Sequence, residues 1–173
     1  MSPDQDLTHP DLFTVGTYGP VGQRTFLVHV RESRRALTVK VEKGQVALLS
    51  SYLARIVREV GRPGHLPEEL DFDTSADPEW VVGTIGVSYD SDLDRLIVVL
   101  EEISDDDDDE GEGNGDDVAV ARVAVTREQA AAFAIRATSL VEAGRPPCPL
   151  CGLPLDPSGH ACPRTNGHRP PVT

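Results

Sequence analysis

The feature that most constrains the fold is a change of hydrophobic period that occurs twice, in the same order. Leu12 to Tyr18, Arg24 to Val30 and Ala36 to Val41 carry the apolar and β-branched patterning of strands. From Lys43 the spacing changes. Val46, Leu49, Leu53, Ile56, Val57 and Val60 recur every three or four residues, which predicts an amphipathic helix ending near Gly61. Glu79 to Tyr89, Arg95 to Ile103 and Val118 to Val125 then read as strands. Arg127 to Ala143 reads as an alanine-rich helix, with Thr126 as its N-cap and Gly144 as its stop. The order is βββα followed by βββα. Residues 1–11 are polar and read as a flexible N-terminus, and Arg62 to Pro78, with three prolines, reads as a connector.

Short identities accompany the repeated order. Val15-Gly16-Thr17-Tyr18-Gly19 matches Val82-Gly83-Thr84-Ile85-Gly86, Phe26-Leu27-Val28 matches Leu96-Ile97-Val98, and Val39 and Val41 match Val123 and Val125. We read an internal duplication, with repeat one at 12–61 and repeat two at 79–144. The expected fold is α+β: duplicated βββα units forming a six-stranded antiparallel sheet or partly closed barrel with two helices. The repeated Gly-Thr-X-Gly has two readings. A strand glycine marks a bulge or a close backbone approach, and the weaker alternative is a ligand cleft between the two copies.

A chain of 173 residues, 39% hydrophobic, suits one domain with a small appendage. No apolar run approaches the ~20 residues of a membrane-spanning helix. The start, Met1-Ser2-Pro3-Asp4-Gln5-Asp6, lacks the basic and apolar regions of a signal peptide, so the expected location is cytoplasmic. The net charge of −13 is uneven. Nine carboxylates and no base fall within residues 104–117, so −13 less those nine leaves −4 for the rest. This segment reads as a disordered acidic insertion into repeat two, because repelling charges with no apolar residue cannot offset the entropy of ordering. Nothing in the main domain concentrates the basic charge that nucleic-acid binding requires.

All three cysteines and two of the five histidines crowd into residues 148–168. An odd cysteine count in one knot argues against a disulfide framework and for a metal. Cys148-Pro149-Leu150-Cys151-Gly152 has the form of a zinc knuckle, in which two thiolates three positions apart chelate one ion and the glycine permits the turn. Asp156 to Gly159 reads as a turn that returns Cys162 as a third thiolate. His160 lies two residues before Cys162, and on an extended strand both face one side, which favours it as fourth ligand. The alternative is His168. Four protein ligands leave no open position, so residues 145–173 are expected to hold one structural Zn²⁺ in a zinc-ribbon-like knuckle.

Gln23-Arg24-Thr25-Phe26, Glu42-Lys43-Gly44-Gln45-Val46, Val82-Gly83-Thr84 and the run from Arg145 through Gly167 resemble an uncharacterised actinobacterial protein family. The likeness spans nearly the whole chain apart from the N-terminal tail and the acidic stretch. Where that family usually has Asn-Gly-Tyr, this chain has Asn166-Gly167-His168. The resemblance therefore implies that His168 is not a required ligand, and it implies no reaction.

Other chemistry-bearing residues have modest claims. His29 sits on a strand between Val28 and Val30, where a solvent-facing or hydrogen-bonded role is expected. His9 and His65 lie in polar loops. Asp71 and Asp73 belong to the connector, and Arg24, Arg55, Arg58 and Arg62 form an anion patch only if the fold unites them. Nucleophile-elbow, P-loop and dinucleotide-binding motifs are all missing from the sequence. The expected function is a non-enzymatic interaction or adaptor module with a protein partner. Two alternatives are an enzyme or small-molecule binder with a cleft between the repeats, and weak nucleic-acid contact through the tail. In the tail Arg145, Arg164 and Arg169 outnumber Asp156.

Overall fold

A computed structural model describes residues 4–20, 22–104, 118–144, 148–153, 155, 160 and 162–164. It is a mixed α+β structure whose elements run β1 (Gln5–Leu7), β2 (Leu12–Tyr18), β3 (Thr25–Glu32), β4 (Arg35–Val41), α1 (Lys43–Val60), β5 (Trp80–Asp90), β6 (Arg95–Glu102), β7 (Val120–Val125) and α2 (Arg127–Glu142). The expected boundaries hold to within two residues. At α2, Thr126 caps as its residue type predicts, its hydroxyl accepting from the Gln129 amide at 3.1 Å while Gln129 Oε1 accepts from the Thr126 amide at 3.0 Å.

The sheet has seven strands, not six, in the order β1-β7-β6-β5-β4-β3-β2, and it is not closed. It is also not purely antiparallel, since β1 runs parallel to β7 and β4 parallel to β5. The extra strand comes from the segment expected to be flexible. Leu7 supplies the reason, because its side chain is fully buried in the core. A three-residue strand carries too short a pattern for period to reveal it. The acidic stretch 105–117 falls outside the described residues.

Although open, the sheet curls. Seven flat strands would span about 29 Å, yet only residues 8–11 join β1 at one edge to β2 at the other, a reach of about 18 Å. The Arg35 guanidinium of β4 accordingly donates to the Asp6 carbonyl of β1 at 2.6 Å, with three strands between them in sheet order. Inside the curl lie the two helices. Val46, Leu49, Leu53 and Val57 of α1, and Ala130, Phe133, Ala134 and Ala137 of α2, form the buried stripes. They meet Phe13, Val15, Val28, Val30, Val39, Val98 and Val123 from the concave face. Phe133 stacks on Phe13 with centroids 4.5 Å apart, pinning the last helix against β2.

The register bears on the repeated motifs. Val28 pairs with Val15 and Val39, as Val98 pairs with Val87 and Val123. Position 15 thus corresponds to 87, an offset of 72 (87 − 15), whereas the Gly-Thr-X-Gly match requires 67 (82 − 15). The two motifs are not equivalent in the sheet. Gly16 lies on the edge strand β2 and Gly83 on β5, with β3 and β4 between, so they do not line one cleft. The seam between the halves is filled by Val39, Val41, Trp80 and Val82, all buried. Gly83 has the bulge expected of a strand glycine: the β5–β6 register shifts there, and a Cβ would lie 2.9 Å from the Ile103 Cα.

The connector is a structural piece. Leu66, Pro67 and Leu70 line one groove with Ala132 and Leu140 of α2. The Leu70 carbonyl accepts from Thr14 at 2.7 Å, and Phe72 stacks on His29 across the convex face at 4.6 Å. Arg136 of α2 donates to the Val15 carbonyl and to Asp71, covering part of the exposed β2 edge. His29 also hydrogen-bonds Thr38 at 2.8 Å. Burial, with the nearby Arg31 charge, lowers the His29 pKa. Protonation below the ordinary value of about 6.5 therefore favours the unfolded chain. Stability from this site is fully present above pH ~6.5 and is lost as the pH falls through that value toward the lowered one. Urea titrations from pH 7.5 to 5 should show a decline that is shallower in His29→Gln, and equal slopes would exclude His29 as its source.

Candidate metal centre

Beyond α2 the chain forms a tight turn. The Gly152 amide donates to the Cys148 carbonyl and the Cys148 amide to the Leu153 carbonyl, both at 2.8 Å. Gly152 takes φ +74°, a left-handed conformation that a glycine adopts without strain. This turn carries Cys148 and Cys151 toward one point. It also aims amide hydrogens at sulfur: the backbone of Leu150, then that of Cys151, bonds the Cys148 thiol and lowers its pKa. At Cys151 the Leu153 amide acts in the same direction but is outweighed by burial and the neighbouring thiols of Cys162 and Cys148, so that thiol is raised. A negative sulfur is thus favoured at Cys148, while two adjacent thiolates repel.

His160 and Cys162 arrive at the same point from the returning chain. The ligand atoms of Cys148, Cys151, His160 and Cys162 all lie within 4.8 Å of one another. Cys148 Sγ and Cys162 Sγ are 4.0 Å apart, and Cys151 Sγ is 3.4 Å from His160 Nε2. A tetrahedral ion with Zn–S near 2.3 Å and Zn–N near 2.05 Å sets sulfur–sulfur separations of about 3.8 Å and sulfur–nitrogen separations of about 3.6 Å. The donor set and its spacing therefore fit a metal ion. Cys148 and Cys162 are buried, and Cys151 and His160 partly so. His160 Nδ1 is buried with no hydrogen-bond partner among the described residues. His168 lies outside the described residues.

The remaining candidates are not brought together into a site. His9 Nδ1 meets Thr8, and His65 is exposed 3.6 Å from Glu68. Asp71 accepts from Arg136, while Asp73 accepts from the Ser75 hydroxyl and amide, which lower its pKa. Arg55 pairs with Glu59 along α1. Arg24 is not its neighbour: it stands beside the first turn of α1, about 18 Å along the helix from Arg55. The company Arg24 does keep, Lys40 and Lys43, was not visible as a pattern, because a strand end, a helix start and a separate loop supply the three.

No helix among the described residues is long and apolar enough to cross a membrane. No curated protein and no solved structure matches the chain. One family model does, that of a protein of unknown function designated DUF3090, over residues 5–162, a span that takes in the whole sheet, both helices and the Cys/His cluster. The chain belongs to the DUF3090 family.

Proposed function

We propose that this protein is a cytoplasmic interaction module whose tail is closed by one structural Zn²⁺ held by Cys148, Cys151, His160 and Cys162. The observation that carries the reading is the convergence of four ligand atoms within 4.8 Å. Three sulfurs and an imidazole form a soft donor set that suits zinc, and four protein ligands fill a tetrahedron and leave no place for a reactive water. Reduced thiols, which such a site needs, belong to a reducing compartment. The knuckle holds Leu150 and Leu153 about half exposed, at 47% and 50%. On this reading a partner protein seats on these two leucines.

Protein purified without added metal should contain about one zinc per chain. With a chelator present, His160→Ala should lose that zinc and His168→Ala should keep it. The reverse result would move the fourth ligand to His168, and a metal-free native protein would remove the zinc altogether. Leu150→Asp with Leu153→Asp should keep the zinc and abolish co-purification of the partner. Retained co-purification would place the partner elsewhere.

A further inference from the structure

The chain has fourteen arginines but only two lysines, and both lysines, Lys40 and Lys43, line one cavity together with Arg24. The cavity has a volume of about 360 Å³ and lies where β3 begins, β4 ends and α1 starts. We propose that it binds the phosphate group of a small phosphorylated molecule.

Charge is the first argument. The cavity gathers three cations against one carboxylate, Glu42, in a protein whose net charge is −13. Among the described residues none of the three cations forms an ion pair. A surplus of two positive charges matches a phosphate monoester, which carries about −1.5 to −2 at neutral pH. A single carboxylate would neutralise only half of it. The positive end of the 18-residue helix α1 also lies at the cavity, partly offset by the carboxylate of its N-cap Glu42.

Size and side-chain chemistry agree with this. The volume falls within the ~300–1,000 Å³ of small-molecule sites, too large for an ion alone. The wall includes Thr25, a residue type whose hydroxyl can donate to a phosphate oxygen, and the buried Phe26 and Val41. Lysine supplies compact ammonium charges on rotatable stems, suited to converge on one tetrahedral group. Gly144, two residues past the end of α2, closes the cavity on that side, and a Cβ built there would lie 3.0 Å from the mobile amine of Lys43.

Titration calorimetry of the full chain with a simple phosphate monoester, phenyl phosphate, at ionic strength held constant with chloride, tests the proposal. Saturable one-to-one binding is expected. Lys40→Ala with Lys43→Ala should weaken it about tenfold or more per lysine removed. Arg58→Ala, on the exposed face of α1, should leave it unchanged. The substituted positions have exposed or half-exposed side chains, and circular dichroism establishes that each variant is folded. No saturable heat with phenyl phosphate up to about 1 mM, or undiminished binding in the folded double-lysine variant, overturns the proposal.

Discussion

Replacing Cys148 by serine is expected to strip the metal from the tail while leaving the sheet and helices folded. Cys148 is the most heavily supported of the proposed ligands: it is 3% exposed, it closes the 148–153 turn through both its amide and its carbonyl, and backbone amides lower its thiol pKa. A serine oxygen is a poorer donor to zinc, and an ion with three ligands loses its closed tetrahedron. Loss of an outer-shell partner alone costs about 10–100-fold in metal affinity, so loss of a ligand should cost at least about 100-fold. Competition with a chromophoric chelator would measure this. The helix and sheet core contains none of the four ligands, so the cooperative melting of the main domain should shift little. Wild-type affinity in Cys148→Ser would sink the ligand assignment. Acid should act in the same direction, since protons compete with the metal for the thiolates and the imidazole.

The second large effect is expected in the core. Phe133→Ala should destabilise the domain by about 3–5 kcal/mol, the usual cost of truncating a buried phenylalanine. Phe133 is fully buried and stacked on Phe13 at an interplanar angle of 17°. Because it joins the last helix to β2, its removal loosens the curl and leaves a cavity as well. Set against a typical domain stability of 5–15 kcal/mol, a loss of this size brings the variant close to unfolding. Urea unfolding of Phe133→Ala, Phe13→Ala and the double variant would isolate the ring pair, whose coupling should be about 0.5–1.5 kcal/mol. A loss below about 1 kcal/mol for Phe133→Ala would mean that this contact does not hold the curl.

The local elements were legible because their signals are local. The three-to-four-residue spacing of Val46, Leu49, Leu53 and Val57 is the buried stripe of α1 itself, and Thr126 and Gln129 hold the reciprocal cap that their residue types announce. The Cys/His cluster was legible for the same reason: Cys148, Cys151, His160 and Cys162 lie within fifteen residues, so a short turn is enough to gather atoms that could hold a metal ion. Identity without register was misleading. The two Gly-Thr-X-Gly stretches read alike, yet a bulge after Val82 and the pairing of Val87 with Val98 set them out of step.

What the sequence determined by itself, then, is what neighbours along the chain carry: six of the strands, two helices and a tail that gathers a Cys/His cluster able to hold a metal ion. Tertiary structure alone decided what distant segments do together. Leu7 makes a seventh strand because the curled sheet offers it a core. Phe72 becomes the cover of His29 because the connector crosses the convex face. Arg24, Lys40 and Lys43 become one cationic cavity because a strand start, a strand end and a helix start meet there. The physical reason is common to all three: periodicity reports which face of an element is buried, whereas the partner it is buried against is chosen by long-range packing.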